Sequence, residues 1–210
     1  MDKIAMELSQ CDGMNCFERA IKRSFDFIGS FLAIIILSPL FLVIYIALLC
    51  QGDGSVIFKQ ERIGYKGKPF NILKFRTMRV DSECNGEPLL AKVGDERLTK
   101  VGKFLREHHL DELPQLINVL KGDMSFVGPR PERQYFIEQI RKANPNYDYV
   151  FQMRPGLTSM ATLHNGYTDT LEKMLIRLDM DLEYLRKRSL WLDAKLIFTT
   201  FMYIVNGKKF

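Results

Sequence analysis

The residues best equipped for chemistry stand in "LREHHLDELPQL" (105–116), where Asp111 and Glu112 sit side by side shortly after Arg106. A carboxylate pair can supply a nucleophile, a proton carrier or a ligand for a divalent metal. Arg130 in "GPRPE" (128–132) lies between two prolines, and Arg154 in "MRPGLTS" (153–159) precedes one. Proline narrows the backbone on either side, so a guanidinium is aimed with little entropy left to lose, and its planar fork suits phosphate oxygens. "KFRTM" (74–78) adds Lys74 and Arg76. Lys74, Arg76, Arg106, Arg130 and Arg154 as phosphate contacts, with carboxylates to attack phosphorus or hold a metal, point to phosphoryl chemistry. Each residue also has a plainer reading. An Asp at a helix mouth caps it and a Glu beside it favours the dipole, Arg154 suits a surface turn, and Lys74 and Arg76 suit a solvated sheet edge.

These side chains need elements to hold them. "VIFKQERIGYKGKPFNILKFRTM" (56–78) reads as strand, turn over Gly64 to Pro69, and strand, with Phe70, Ile72, Lys74 and Arg76 on one face. In "DERLTKVGKFLRE", Thr99 is a helix cap signal, and Val101, Phe104 and Leu105 at helical spacing bring Arg106 to the helix end. Leu113, Leu116, Ile117 and Leu120 predict a helix over 112–121 closed by Gly122, with Pro114 in its first turn and Asp111 at its N-cap. "DSECNGEPLLAKVGDE" (81–96) reads as a mobile loop, and His108 and His109 as a solvated pair. The fold class is α/β (α+β-like): a small, mostly helical catalytic domain with a short β-hairpin and interfacial amphipathic helices.

The 210 residues suffice for one domain and an anchor, and a net charge of +5 favours anionic company. Cys11, Cys16, Cys50 and Cys84 lack metal or disulfide spacing and read as reduced thiols facing a cytosol. From Phe27 to Gly52 no residue is charged, and one straight helix of that length, ~39 Å, would cross a ~30 Å hydrocarbon core. Against a single span, Ser38-Pro39 falls mid-run, where proline frees the carbonyl of Ile35 and the Ser38 hydroxyl can partly satisfy it. Both flanks are basic, with Arg19, Lys22 and Arg23 before and Lys59, Arg62, Lys66 and Lys68 after, so a re-entrant hairpin satisfies the positive-inside rule where a span does not. From the residues alone the two stand even. The C-terminal "SLWLDAKLIFTTFMYIVNGKKF" (189–210) reads equally as an interfacial helix or a core helix.

The segments "KRSFDFIGS", "SPL", "KFRTM", "LREHHLDELPQLINVLKGDMSFVGPRPE", "RPGLT" and "DLEYLRKRSLWLDAKLIFTT" resemble, in order, the bacterial sugar transferase family, the monotopic polyprenyl-phosphate phosphoglycosyl transferases. The resemblance implies transfer of a phosphosugar from a nucleotide diphosphate sugar, a UDP-sugar first among candidates, to undecaprenyl phosphate at the cytoplasmic face of the bacterial inner membrane. It implies Asp111 as nucleophile, Glu112 as its partner, Arg106 and Arg130 on phosphates, and Mg2+ as cofactor, for which Asp111 is the candidate ligand. It also implies an anchor broken at Ser38 and Pro39, which decides for the hairpin, and a minimal form without the helices preceding this region in larger members. The expected organisation is an N-terminal interfacial segment (1–24), a re-entrant membrane helix (25–51) and a cytoplasmic catalytic domain (52–210). Such a protein would open the assembly of an exopolysaccharide, O-antigen, capsule or glycoprotein glycan. "SMATLHNGY" (159–167) departs from the family's Gly-Trp-Ala-Gln-Val-like continuation, which leaves sugar and base recognition unassigned.

Expected partners are therefore the nucleotide sugar, undecaprenyl phosphate and membrane lipids, with a homo-oligomer open. Nucleic acid is disfavoured because the cations do not alternate with exposed aromatics. A catalytically inactive, membrane-tethered nucleotide-sugar-binding or scaffold protein is the competing class, and an intact Asp111-Glu112 pair counts against it.

Overall fold

A computed structural model gives the fold for residues 12–52, 54–79, 95–166 and 170–206. Most of the loop expected at 81–96 lies outside the described residues, as do Cys11 and Cys84. The chain is mostly helical, with a short antiparallel hairpin and one long apolar N-terminal helix.

That helix, α1 (Cys16–Gln51), starts in a capping box, in which Asn15 accepts from Glu18 N while Glu18 accepts from Asn15 N, and ends at Gly52 in the left-handed region. It is the one helix among the described residues long and apolar enough to cross a membrane. Pro39 lies inside α1, with helical residues on both sides of Ser38-Pro39. The repair is local: the Ser38 hydroxyl donates to the Ile35 carbonyl at 2.8 Å, replacing the hydrogen bond that proline removes.

Both ends of α1 rest on the rest of the chain. Near its start, Arg23 donates to the carbonyls of Val119 and Leu120 at 2.7 and 2.9 Å, and Asp26 accepts from the Ser125 hydroxyl and the Phe126 amide. Lys22 pairs with Asp193. Near its end, Ile44 and Leu48 are buried with Val56, Phe75 and Leu105. Between and opposite these contacts, α1 exposes Ile28, Leu32, Ile35, Ile36, Val43 and Ile46, Ile36 at 72%.

Strands β1 (Ile57–Ile63) and β2 (Pro69–Phe75) pair antiparallel from Ile57 opposite Phe75 to Ile63 opposite Pro69. Helix α2 (Lys100–Glu107) begins at Thr99, whose hydroxyl accepts from Gly102 N at 2.9 Å, as the sequence predicts. A 3-10 turn (Leu110–Glu112) leads to α3 (Gln115–Lys121), which Gly122 closes with φ 95°. Then follow β3 (Ser125–Val127), α4 (Gln134–Ala143), a 3-10 stretch (Pro145–Gln152), β4 (Gly156–Thr158), α5 (Met160–Asn165), α6 (Leu171–Lys187) and α7 (Leu190–Val205). One apolar cluster joins α4, the second 3-10 stretch and α6 through Ile137, Ile140, Val150 and Leu178, and another joins β3, α6 and α7 through Val127, Leu185 and Leu196. Helix α7 thus packs on one face, while Trp191, Phe198, Phe201 and Ile204 remain exposed, Trp191 at 80%.

The pair β3–β4 is parallel and only three residues deep, and it holds the Arg130 loop. Gly128 N donates to Thr158 O, and Gly156 N to Pro129 O, at 3.0 and 2.9 Å. The backbones approach so closely that a Cβ on Gly156 would lie 2.1 Å from Gly128 N and 2.6 Å from its carbonyl oxygen. No flexible side chain can move aside there. Gly156→Ala is therefore expected to destabilise the fold by about 3 kcal/mol or more, read as a large fall in melting temperature of the detergent-solubilised protein.

Candidate active site

Asp111 and Glu112 occupy the 3-10 turn between α2 and α3, reached through His109, a non-glycine residue with φ 55°. His is among the residues that tolerate this conformation, which redirects the chain abruptly after α2. The helix expected over 112–121 starts instead at Gln115, and Pro114 at its N-cap makes no capping bond. Asp111 therefore does not cap α3. Proline without an N–H suits the start of a helix, and the residues before it close the tighter turn.

Asp111 is 6% exposed, and among the described residues its carboxylate receives no hydrogen bond. Glu112 is clamped: its Oε1 accepts from Lys74 Nζ at 2.5 Å and from Arg130 Nη2 at 3.3 Å. The two acids are driven apart electrostatically. Burial pushes the Asp111 carboxyl up to about 6, with Lys74 opposing and Glu112 adding to the rise. Burial also works against the charge of Glu112, but Lys74 and Arg130 outweigh it and hold that carboxyl far below the usual range.

The dyad opens on a cavity of about 500 Å³. Its ionisable lining is Lys74, Arg106, His109, Asp111, Glu112, Arg130 and Arg177. Among the described residues Arg106 Nη1 is buried without a hydrogen-bond partner. A guanidinium nitrogen left so beside a cavity is satisfied by an incoming anion. The apolar lining includes Ala33 and Leu37 of α1, Phe126, Leu157, and Ile197, Phe201 and Ile204 of α7. The half-buried chain of α1 and the exposed apolar face of α7 thus converge on the same space as the charges.

Of the cations picked out in the sequence, Lys74, Arg106 and Arg130 meet at the cavity, and Arg76 and Arg154 do not. Arg76 follows the end of β2 and its Nε donates to the Ser55 carbonyl at 2.6 Å. Arg154 Nε donates to the Gly122 carbonyl at 2.9 Å, and its guanidinium lies 4.8 Å from the Tyr65 ring centroid. His108 is exposed against Phe104, whereas His109 lines the cavity. Among the described residues no group of three or more His, Cys, Asp or Glu is arranged for a metal. Mg2+ fits on other terms, because it keeps waters and takes one or two carboxylates plus substrate phosphates. Asp111 is the free carboxylate that could serve it, since Glu112 is committed to Lys74 and Arg130.

Sequence reasoning passed over Arg177, Glu132 and Asp181. The signal was present: on α6 the buried positions are Met174, Arg177, Leu178, Asp181, Leu182, Tyr184 and Leu185. Two charges at core-facing register need partners, and Glu132, two residues after Arg130, supplies one.

A profile described as Bacterial sugar transferase matches residues 17–207. A UDP-N-acetylgalactosamine-undecaprenyl-phosphate N-acetylgalactosaminephosphotransferase of Aeromonas hydrophila is 40% identical over 89% of this chain and 44% of its own length. A UDP-glucose:undecaprenyl-phosphate glucose-1-phosphate transferase of Klebsiella pneumoniae is 46% identical over 89% of this chain and 40% of its own length. A protein of the same description from Caulobacter vibrioides is 40% identical over 85% of this chain and 67% of its own. The chain spans less than half the length of the first two.

Proposed function

The chain belongs to the bacterial sugar transferase family, and from that premise we propose that it transfers a sugar 1-phosphate from a UDP-sugar to undecaprenyl phosphate, with an aspartyl-phosphosugar intermediate on Asp111. The observation that carries this is the division of labour in the dyad. Glu112 is held ionised between Lys74 and Arg130 and makes a poor nucleophile. Asp111 is unclamped, desolvated and faces the cavity, which raises the reactivity of a weak nucleophile.

A carboxylate oxygen of Asp111 bonds to the phosphorus that carries the sugar, and the bond from that phosphorus to the bridging oxygen breaks, releasing UMP. An oxygen of undecaprenyl phosphate then attacks the same phosphorus, and the Asp111 oxygen leaves as carboxylate. Lys74, Arg106 and Arg130 offset the negative charge that an attacking anion meets at a diphosphate. Asp111 is the residue that would hold Mg2+, whose chemistry there would be further neutralisation of that charge. Arg76 and Arg154 hold the neighbouring backbone. The test is UMP release from a panel of UDP-sugars by protein extracted from membranes, with and without undecaprenyl phosphate. UMP formed without the lipid, and a phosphosugar adduct on the Asp111 peptide by mass spectrometry, support the reading. A strict need for both substrates before any UMP forms overturns it in favour of direct attack by the lipid phosphate.

The same reading makes α1 a re-entrant anchor at the cytoplasmic face of the inner membrane, at the opening step of glycoconjugate assembly, with α7 lying in the interface. Its support is that α1 is fastened at Lys22, Arg23 and Asp26 and again at Ile44 and Leu48 to one body. A helix spanning the bilayer straight would put those two ends on opposite sides. Cys16 and Cys50 are both exposed near the ends of α1, so variants keeping one of them as the only cysteine are built-in probes. Both are expected to react with a membrane-impermeant maleimide in inverted vesicles and neither in right-side-out ones. Labelling from opposite faces would restore the single span.

A further inference from the structure

The cavity has two kinds of wall. Its charges come from β2, α2, the turn before α3, the β3–α4 loop and α6, whereas α1 and α7 give it carbon. Ala33 and Leu37 stand one turn apart on α1, and Ile197, Phe201 and Ile204 follow the i, i+4, i+7 spacing of one face of α7. Two lining hydroxyls beside these stripes have no proton to spare. Thr200 Oγ1 donates to the Leu196 carbonyl at 2.8 Å, so in its 2.7 Å contact with Thr158 Oγ1 the Thr158 hydroxyl is the donor. Together these residues offer a ligand methyl, methylene and ring surface and no side-chain donor.

Part of this apolar lining is also open to the outside. Phe201 is 60% and Ile204 46% exposed while both border the cavity, so its rim runs over the apolar outer face of α7. Phe198 and Trp191 are exposed on the same helix, as are Ile35 and Ile36 on α1. A sugar nucleotide, charged or hydroxylated along most of its length, gains nothing from such a rim. A phosphate carried on a long hydrocarbon chain suits both walls, because its head needs cations and its chain needs a path that never crosses water. At about 500 Å³ the cavity has the size of a site for a small molecule, so a polyprenyl chain must leave it.

We propose that the isoprenyl chain of undecaprenyl phosphate lies along the stripes Ala33 to Leu37 and Ile197 to Ile204, and leaves the site over Phe201 and Ile204 into the bilayer. The assignment rests on the reading of the protein as a transferase that uses this lipid as acceptor. Photo-cross-linking of the detergent-solubilised protein, with an undecaprenyl phosphate analogue carrying a benzophenone on its chain, is the direct measurement. Cross-links are expected on the peptides holding those two stripes, suppressed by undecaprenyl phosphate and not by phosphatidylglycerol. Phe201→Asn is expected to raise KM for undecaprenyl phosphate about tenfold, the range of one lost apolar contact, and KM for the UDP-sugar by far less. Phe198→Asn makes the same change at an exposed residue of α7 that does not border the cavity, and should stay within about twofold of wild type. Ala33→Phe, which sets a ring into the path, should raise KM for the lipid in the same direction, and Ile36→Phe on the outer face of α1 should not. Melting temperatures identify the folded variants, and Phe201→Asn carries the result where Ala33→Phe does not fold. Equal effects of Phe201→Asn and Phe198→Asn would overturn the assignment. So would cross-links that phosphatidylglycerol suppresses as well as undecaprenyl phosphate does, leaving a surface that meets only bulk lipid. Cross-links on both stripes that undecaprenyl phosphate alone suppresses, with no UMP released from any UDP-sugar, would instead sink the transferase reading and leave the lipid site standing.

Discussion

Asp111→Asn is expected to give a folded protein that has lost turnover by at least about 10³-fold and is more stable than its parent at neutral pH. Asparagine keeps the shape of the side chain but has no anionic oxygen to bond phosphorus, and no cap is lost because Asp111 caps nothing. The stability gain follows from the raised carboxyl. Its pKa goes from the ordinary 3.8 to about 6 in the fold, so the folded state holds its proton where the unfolded chain has released it. Stability of the wild type therefore falls as pH rises from about 4 to about 6 and stays lower above that, by on the order of 2 kcal/mol. The variant lacks this slope. Melting curves in chelator, which keeps metal out of the comparison, should coincide near pH 4 and separate by pH 7 with Asn the more stable. Full turnover in the Asn variant would return Asp111 to a structural role. Parallel stability profiles would show that its burial does not strain the carboxylate.

Local signals were legible wherever the chemistry is local. Thr99 caps α2, Gly122 closes α3 in the left-handed region, and the 57–75 hairpin turns where Gly64 to Pro69 allow. The Ser38 hydroxyl bonds the Ile35 carbonyl as its position next to Pro39 implies. That same bond lets helical residues continue on both sides of Pro39, one hydrogen bond being lost and one regained. Asp111, Glu112, Lys74, Arg106 and Arg130, singled out by residue type in the sequence, line one cavity, and the resemblance supplied the reaction proposed for them, which spacing alone left open. Arg76 and Arg154 show the limit. A proline beside an arginine fixes its backbone but not the direction in which tertiary packing turns it, and here the carbonyls of Ser55 and Gly122 claim the two side chains. The parallel pair β3–β4 was invisible for another reason. Three-residue strands carry no alternation, and only the glycines facing each other mark the contact.

Lys74→Met should lose activity in a way that depends on pH, and this separates its two roles. Lys74 stands 2.5 Å from Glu112 and is the strongest charge favouring ionisation of Asp111. Methionine keeps much of the stem and removes the charge. Glu112 then retains Arg130 at 3.3 Å, while the Asp111 carboxyl, with burial unopposed by its main cation, moves further up. A nucleophile that must be ionised is then mostly protonated at neutral pH. The expected result is a loss of about 10²- to 10³-fold in kcat/KM at pH 7, with roughly tenfold regained by pH 9 as Asp111 ionises. Because the two acids are coupled, the shifted limb belongs to the dyad rather than to one residue. The profile of kcat/KM for the donor reports free-enzyme ionisations, and the sugar nucleotide's diphosphate does not titrate across that range. Lys74→Arg, which restores charge on a different frame, should return the acid limb towards its original position even if the rate stays low. A loss of equal size at every pH would mean that Lys74 acts on substrate phosphate alone and does not set the ionisation of the nucleophile.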